Sequence, residues 1–469
     1  MEQINQILKQ ISDFVWGVPL IVLILATGVF LTFRLRGVQF RHLGKALRFM
    51  VKNEEGGEGE VSSFGALCTA LSATIGTGNI VGVATAIVAG GPGALFWMWI
   101  AAFFGMATKY AEGVLAIRYR EIDSDGHVLG GPFYYIQNGM GRRWKWLGKL
   151  FAFFGMCVGL LGIGTMTQVN GIASAVNGVF DPNNSWSVSL FGAEYSWTVV
   201  IAAVVVTACT AFVVIGGLKR IAKVAEVIVP FMAVLYILVC LVILGCNVTK
   251  IPAALGEIFA QAFGLRAVAG GAFGAMMIAM QMGIARGIFS NEAGLGSAPI
   301  AAAAAQTKSA ARQGLVSMTG TFIDTIVVCT MTGLTIVLTG SWDVGLEGVA
   351  VTTRAFQQGL PLPGEISSLL LMICLVFFGF TTILGWDYYS ERCLEYLCNK
   401  RAWVIQIFRW LYILAVLAGP FLTVQAVWTI ADIFNALMAV PNLIAVLALS
   451  GVVAAETRAL RKNREHKLR

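Results

Sequence analysis

Charged residues are scarce in this sequence. They make up 12% of the 469 residues, apolar residues make up 57%, and the mean hydropathy is +0.78. A soluble domain carries about 25% charged residues, so this composition excludes an ordinary soluble globular protein. Runs such as 14–33 and 197–218 contain no charge, and about 20 apolar residues cross a bilayer as a helix. Because these runs do not alternate as barrel strands do, we predict an all-α integral membrane protein.

Histidine and cysteine, which serve in many catalytic and metal centres, are few or scattered in this sequence. The three histidines fall in predicted loops or the tail, and none of the nine cysteines forms a CxxC pair. GxSxG, P-loop and HExxH motifs do not occur. We therefore expect neither an enzyme nor a bound cofactor. Residues 1–13 hold two acids and one lysine, so the first apolar run is predicted to be a retained helix rather than a signal peptide.

Hydropathy predicts eleven membrane helices and leaves no hydrophilic stretch long enough for a separate domain. The predicted spans are 14–33, 62–89, 94–119, 149–178, 196–216, 221–246, 268–290, 313–338, 365–397, 402–420 and 422–451. Short amphipathic segments are predicted at 38–52, 252–264, 298–312 and 347–358. With eleven spans, all but four of the 33 basic residues fall on or near one side. The four exceptions are Lys9, Lys250, Arg266 and Arg354.

This distribution predicts the orientation in the cytoplasmic membrane. Because basic loops stay in the cytoplasm, the N-terminus is expected outside and the C-terminus inside. The net charge of +8 is then a topology signal, and the basic tail 452–469 is not expected to bind nucleic acid. The lipid bilayer is the expected surrounding, and the oligomeric state is left open.

The ten helices after the first divide into two sets of five. Five is odd, so the second set is inverted relative to the first, as in many secondary transporters. The predicted units are 1–53 (first helix and amphipathic segment), 54–246 (first repeat) and 247–451 (inverted repeat). In such proteins the first helix of each repeat is often broken. The candidates are 62–89, with Ser72-Ala-Thr-Ile-Gly-Thr-Gly-Asn79, and 268–290, with glycines and methionines from Gly270 to Gly283. Close helix packing through small residues is the alternative explanation for both.

Two stretches resemble the alanine or glycine:cation symporters, also called the sodium:alanine symporter family. They are Gly90-Gly-Pro-Gly-Ala-Leu-Phe-Trp-Met-Trp-Ile-Ala-Ala-Phe-Phe-Gly105 and Gly283-Ile-Ala-Arg-Gly-Ile-Phe-Ser-Asn-Glu-Ala-Gly-Leu-Gly-Ser-Ala-Pro299. The resemblance extends over essentially the whole chain. It implies a LeuT-type fold with eleven helices, a five-plus-five inverted repeat after one extra helix. It also implies uptake of alanine, glycine or a related amino acid coupled to sodium and sometimes to protons.

The resemblance further implies a substrate and sodium site at the first break. The amides of Thr77 and Gly78 would meet the substrate carboxylate. The other predicted substrate residues are Thr74, Gly76, Asn79, Gln168, Phe273, Gly274, Met277, Gln281 and Trp386. The predicted sodium ligands are the carbonyls of Ser72, Ile75 and Phe378 and the hydroxyls of Thr381 and Thr382. Hydroxyls that bond back to their own helix, and a glutamine that bonds between helices, are the alternatives.

Several charged residues fall within or near the predicted spans. Lys109, Glu112, Glu226, Arg286 and Asp387 lie toward predicted inner ends, where snorkelling or ion pairing would satisfy them. Asp324 lies deeper and is interpreted as a structural anchor, with a proton relay as the alternative. A proton-coupled symporter and a symporter of a related substrate such as glutamine therefore stand beside the sodium symporter as hypotheses. A channel is a further hypothesis, because broken helices can also line a pore.

Overall fold

The computed structural model describes residues 2–52, 54, 56–190, 192–265, 271–421 and 424–467. In this part of the chain the α-helices are α1 (Glu2–Val15), α2 (Val18–Arg34), α3 (Val38–Val51), α4 (Ser63–Thr74), α5 (Val83–Gly90), α6 (Gly93–Arg118), α7 (Pro132–Gly139), α8 (Lys145–Leu161), α9 (Met166–Phe180), α10 (Trp197–Val214), α11 (Leu218–Cys246), α12 (Ile251–Ala262), α13 (Ala272–Asn291), α14 (Ala298–Ala302), α15 (Ala310–Thr321), α16 (Thr330–Leu338), α17 (Val349–Gly359), α18 (Gly364–Leu397), α19 (Ala402–Ala418), α20 (Val424–Ala448) and α21 (Ser450–Lys467).

Shorter elements join these helices. π-Helical segments cover Gly78–Gly82 and Phe322–Cys329. Two antiparallel hairpins, which the hydropathy pattern did not predict, pair β1 (Glu121–Ile122) with β2 (Val128–Leu129), and β3 (Ser187–Leu190) with β4 (Ala193–Ser196). The all-α prediction is confirmed for the described residues, because these hairpins are the only strands that interrupt their helices.

The number of possible spans agrees with the sequence-based count at its upper limit. Eight helical runs in the described residues are long and apolar enough to cross a membrane, and three bent pairs raise this to eleven if each pair is one span. The pairs are α2 with α3 (84°), α4 with Gly78–Gly90 (54°), and α20 with α21 (58°). The polar starting helix α1 was not predicted. Some predictions concern residues outside the described part of the chain. They are the outer position of Arg266, the place of Gly270 in the second predicted break, and the first residues of the predicted spans 268–290 and 422–451.

Two interruptions differ from the prediction. The predicted span 149–178 is two helices, α8 and α9, separated by residues 162–165. The second predicted break is wrong over the described residues 271–283, because α13 continues without interruption to Asn291. The physical reason is packing: a side chain at Gly283 would collide with the Ala94 carbonyl of α6. The interruption lies instead between α13 and α14, where Glu292, Gly294 and Gly296 have positive φ values of 56°, 90° and 82°.

The long helix α18 organises the centre of the molecule. It packs against α4, α8, α9 and α11, while α6 packs against α13 and α15. The interrupted helix α4–α5 lies between these groups, and most of its side chains are buried. By contrast, α10, α11 and α19 expose large apolar side chains such as Phe212, Val227 and Trp410. Such an outer surface suits hydrocarbon rather than water.

Candidate functional site

The break in the first interrupted helix is confirmed. Helix α4 ends at Thr74, Ile75 is extended (φ −79°, ψ 92°), and the π-helical segment begins at Gly78. The Gly76 N–H donates to Asn79 Oδ1 at 2.9 Å, and the Asn79 N–H donates to the Gly76 carbonyl at 3.1 Å. Asn79 therefore closes the turn that replaces the helical hydrogen bonds, since buried backbone groups need partners.

Gln168 covers the break from the start of α9. Its Oε1 accepts a hydrogen bond from the Thr77 N–H at 3.1 Å, and its side chain is buried. The α8–α9 interruption places this glutamine in the first turn of a new helix, facing the break. The Thr77 N–H, which is predicted to bind the substrate carboxylate, therefore donates here to the side-chain amide oxygen of Gln168. Gly76 lies against Gln168 and Thr382, and a Cβ there would collide with the Thr382 hydroxyl.

The predicted sodium ligands gather where α4 packs on α18. Thr382 Oγ1 lies 3.3 Å from the Ile75 carbonyl and 3.0 Å from the Phe378 carbonyl. One turn away, the Ser72 hydroxyl packs against Gly385. Thr381 Oγ1 lies 3.1 Å from the Phe378 carbonyl and 3.2 Å from Met232 Sδ. These neutral oxygens fit a hard cation, which prefers oxygen ligands. The contacts of both Thr381 and Thr382 with the Phe378 carbonyl also match the back-bonding alternative.

Asp324 joins the break to the end of α13. Its Oδ1 accepts from Asn79 Nδ2 at 2.7 Å, and its Oδ2 accepts from Ser290 Oγ at 2.9 Å and Thr325 Oγ1 at 2.8 Å. The carboxylate is fully buried and lies in the second π-helical segment. These contacts agree with the anchor interpretation. The sequence marked Asp324 as a deep charge, but only the fold shows that Asn79 and Ser290 are its partners.

A large open cavity reaches the break from one end of the molecule. Its volume is about 630 Å³, and Thr77, Gly82, Asn170, Arg286 and Glu347 are among its lining residues. A neighbouring cavity of about 320 Å³ shares Ser174 and Val349 with it and extends to the start of α18. Arg286, on α13, lies 3.7 Å from Asp432 Oδ1. The sequence did not predict that Arg286 lines this cavity.

The other predicted substrate residues are more dispersed. Trp386 is fully buried beside Gly164 in the α8–α9 interruption. Thr74 lines a separate small cavity with Lys109. Phe273, near the start of α13, is 70% exposed. Gly274 and Gln281 are exposed and Met277 is half-buried. Among the described residues, no hydrogen bond joins these four α13 residues to the break, and their contact with substrate stays a prediction.

A ring of ion pairs lies toward the other end of α18. His127, in the β1–β2 loop, contacts Glu60 at 2.8 Å and Glu395 at 2.7 Å. Arg392 completes the ring, at 2.8 Å from Glu60 and 3.1 Å from Glu395. Met372, which lines the cavity of about 320 Å³, lies on α18, and so does Arg392 of the ring. Since a helix rises 1.5 Å per residue, about 30 Å separates them along the helix.

The ring shifts the pKa values of His127 and Glu60, the two members that lie in loops. Hydrogen bonds to Glu395 and Glu60 raise the pKa of His127 to about 9. Burial alone would raise the pKa of Glu60, but the hydrogen bond from His127 and the charge of Arg392 lower it to about 2. At neutral pH the ring therefore holds two positive and two negative charges, which balance.

Three of the charged residues expected to snorkel or to form ion pairs are buried. Lys109, Glu112 and Asp387 are at most 2% exposed. Lys109 interacts electrostatically with Glu112, which agrees with the pairing alternative rather than with snorkelling. Neither Asp387 carboxylate oxygen has a hydrogen-bond partner among the described residues. Periodicity placed these residues near helix ends, but neighbouring helices and the packed loops cover them.

The whole chain, residues 1–469, matches the model of the sodium:alanine symporter family. It is 48% identical over 469 residues to the sodium/alanine symporter AgcS of Methanococcus maripaludis, covering 98% of each chain. It is 52% identical over 457 residues to an uncharacterized transporter of Haemophilus influenzae, covering 97% of this chain and 96% of that protein. A third relative, named "Probable sodium/glutamine symporter GlnT", from Bacillus subtilis, is 39% identical over 456 residues, or 96% and 90% of the two chains.

Proposed function

Because the chain belongs to the sodium:alanine symporter family, we propose that it takes up a small neutral amino acid, such as alanine or glycine, together with sodium by alternating access. The observation that carries this proposal is the break at Ile75–Thr77. It combines backbone donors, a cluster of neutral oxygens on α18 and an open cavity of about 630 Å³. Transport sites near the midplane use interrupted helices in this way, with N–H groups for anions and carbonyls for cations.

In the proposed site the substrate carboxylate binds the amides of Thr77 and Gly78. Gln168 would turn away from Thr77 and donate from its Nε2 to the carboxylate. Trp386 and Phe273 would limit the side chain that fits. Sodium would bind beside the carboxylate between α4 and α18. Its ligands would be the carbonyls of Ser72, Ile75 and Phe378 and the hydroxyls of Thr381 and Thr382.

The proposed architecture is a LeuT-type inverted repeat of ten helices after one extra helix. The charge asymmetry of the loops supports an outside N-terminus and a cytoplasmic C-terminus. In this orientation the large cavity opens outward and the His127 ring closes the cytoplasmic end. The structure would then correspond to an outward-open state, and sodium and substrate would enter before the bundle rocks.

Uptake in proteoliposomes tests this proposal. Purified protein would be assayed with radiolabelled alanine, glycine and glutamine, with and without an inward sodium gradient. Accumulation of one amino acid only with the gradient is expected. Accumulation that ignores sodium would reject sodium coupling, and large non-saturating currents would indicate a channel. Glutamine accumulation alone would shift the substrate toward that in the name of the Bacillus relative.

A proton-coupled symporter is the second candidate, favoured by the burial of Asp324 beside the break. A carboxylate between Asn79 and Ser290 can exchange a proton when these contacts change. Asp324→Asn would then abolish concentrative uptake and spare amino acid exchange. Unchanged concentrative uptake would dismiss this role and leave Asp324 as an anchor.

A further inference from the structure

An exposed basic and aromatic segment joins α7 to the first turns of α8. It begins with the 3₁₀ turn Arg142–Trp144 and continues along α8 to Lys149, and we call it the Arg142–Lys149 segment. Four basic side chains and two tryptophans of the segment are exposed, namely Arg142, Arg143, Trp144, Lys145, Trp146 and Lys149. No acid occurs in residues 126–180. The four positive charges therefore have no acidic neighbour in the sequence.

The polar groups of the segment also have no partners in the described part of the chain. None of its basic side chains forms an ion pair or hydrogen bond there, and neither indole N–H donates. The acids of the preceding β1–β2 hairpin are already engaged, since Glu121 accepts from Asn138 and Asp123 pairs with Lys400. The segment thus presents four uncompensated charges and two hydrogen-bond donors to its surroundings.

The exposed side of α8 next to these charges is apolar. Trp146, Leu150 and Phe153 lie at positions i, i+4 and i+7, which share one face of a helix. They are 59%, 37% and 46% exposed. The opposite side is packed, because a Cβ at Gly148 would lie 3.0 Å from the Phe133 carbonyl oxygen. An uncovered apolar stripe on a spanning helix meets acyl chains, so hydrocarbon and charge lie side by side here.

A second tryptophan pair shows what the basic residues add. Trp186 and Trp197, beyond the far end of α9, are 57% and 36% exposed, and their rings lie 5.7 Å apart. The rings of Trp144 and Trp146 lie 6.2 Å apart. Exposed tryptophans at both ends of a membrane segment are typical of the two interfaces. No lysine or arginine occurs in residues 150–218, so only the first pair lies among positive charges.

Basic groups, indole donors and an apolar stripe together match one ligand. The headgroup of an anionic phospholipid supplies a negative charge and acceptor oxygens, and its acyl chains need an apolar surface. A soluble phosphate would meet the charges and leave the stripe unused. We propose that the Arg142–Lys149 segment binds an anionic phospholipid, with the phosphate among the basic side chains and an acyl chain along Trp146, Leu150 and Phe153.

This lipid would lie at the end of the molecule that carries the His127 ring. Tyr396, one turn beyond Arg392 on α18, donates to Gln137 Oε1 at 2.9 Å and stacks on Phe133 of α7. The segment follows α7 directly, so it lies beside this end of α18. In the proposed orientation this is the cytoplasmic leaflet, whose anionic lipids attract basic segments. The leaflet rests on that orientation, but the lipid site does not rest on the transport function.

Quenching of tryptophan fluorescence by brominated lipid tests the site. The full chain would be reconstituted in phosphatidylcholine vesicles that contain an equal small fraction of brominated phosphatidylglycerol or of brominated phosphatidylcholine. Enrichment of phosphatidylglycerol should quench Trp144 and Trp146 more strongly, and Trp144→Phe/Trp146→Phe supplies the background of the other tryptophans. With four basic residues, we expect phosphatidylglycerol to be preferred at least about tenfold.

Charge variants separate the segment from the net charge of the protein. Changing its four basic residues to glutamine should abolish the preference, and folding should persist because these side chains are exposed and have no partners. Arg142→Lys/Arg143→Lys keeps the charges and should retain most of the preference. The matched control removes four exposed charges elsewhere, with glutamine at Arg41, Arg48, Lys219 and Lys223. It should leave the preference unchanged.

Three results would overturn the site. They are an undiminished preference in the four-glutamine variant of the segment, an equal loss in the matched control, and displacement of the lipid by soluble glycerol phosphate. The second would show an effect of net charge, and the third would show a site for a free anion. Quenching needs no transport, so a failure of sodium-driven uptake would be seen separately and would count against the proposed function alone.

Discussion

Both interrupted helices use side-chain amides as backbone partners, but they differ in backbone conformation and in their surroundings. At the first break, Asn79 and Gln168 accept from the N–H groups of Gly76 and Thr77, and Thr382 meets the Ile75 carbonyl. At the second, Asn291 accepts from the Ala293 N–H and Asn442 donates to the Gly294 carbonyl. Glu292, Gly294 and Gly296 there have positive φ values and turn the buried chain. The first break adjoins an open cavity, whereas the second adjoins one of about 10 Å³.

This difference separates ligand binding from packing. Side-chain amides and hydroxyls can rotate away from a backbone group, so the first break can exchange these partners for a ligand. Glycines with positive φ cannot be replaced without strain, so the second break depends on a fixed backbone. We therefore expect changes at the first break to alter transport, and backbone changes at the second to alter stability.

Gly76→Ala should have the largest effect. The added methyl group would collide with the Thr382 hydroxyl and lie 3.1 Å from Gln168 Oε1. Because it forces α4 away from α18, sodium-driven uptake should be lost. Gly245→Ala on α11 is the control, since a Cβ there meets nothing within 4 Å. Normal uptake by Gly76→Ala would show that α4 and α18 do not need this close approach.

Gly296→Ala should mainly reduce stability. Gly296 has φ +82°, and an added Cβ would lie 2.7 Å from Asn442 Cγ and 2.8 Å from the Phe151 ring. The strain and overpacking together should cost about 2–4 kcal/mol. Thermal unfolding in detergent measures this. Gly340→Ala is the matched control, because it shares a positive φ of +65° but meets open space. Equal losses in both variants would assign the whole cost to the backbone.

Thr382→Ala should weaken sodium dependence. Its hydroxyl is the side-chain oxygen that touches both the Ile75 and Phe378 carbonyls. Losing one ligand worth about 1.4 kcal/mol would raise the sodium concentration for half-maximal uptake roughly tenfold. Thr381→Ala makes the comparison, since its hydroxyl also contacts Met232. If both variants shift equally, the two hydroxyls are equivalent ligands. If neither shifts, the proposed sodium site is incorrect.

His127→Gln should have the smallest effect, and it should depend on pH. The folded pKa of about 9 exceeds the ordinary value of 6.5. The stabilisation by protonated His127 is therefore fully present below about pH 6.5 and is lost as pH rises through about 9. The difference in Tm between the two proteins, measured over this range, should shrink toward high pH. A difference that does not change with pH would show that protonation of His127 contributes nothing.

The first break was predictable because its cause is local. Glycines, threonines and Asn79 within one apolar run disfavour a continuous helix whatever surrounds them. Gln168 was also noticed from sequence, since a glutamine within a span needs a partner. The glycines of α13 carried the same local signal but proved to be packing positions, as Gly283 shows against Ala94. Composition cannot separate these two uses, because the difference lies in the neighbouring helix.

Sequence by itself determined the all-α membrane class, the upper count of eleven spans, the position of the first break and the family, because hydropathy, glycine content and linear motifs are local properties. Tertiary structure alone decided that Asp324 bonds Asn79 and Ser290, and that His127 completes a ring with Glu60, Arg392 and Glu395. Each of these groups joins residues far apart in the chain. Their charge balance depends on distances that only the packing of the helices establishes.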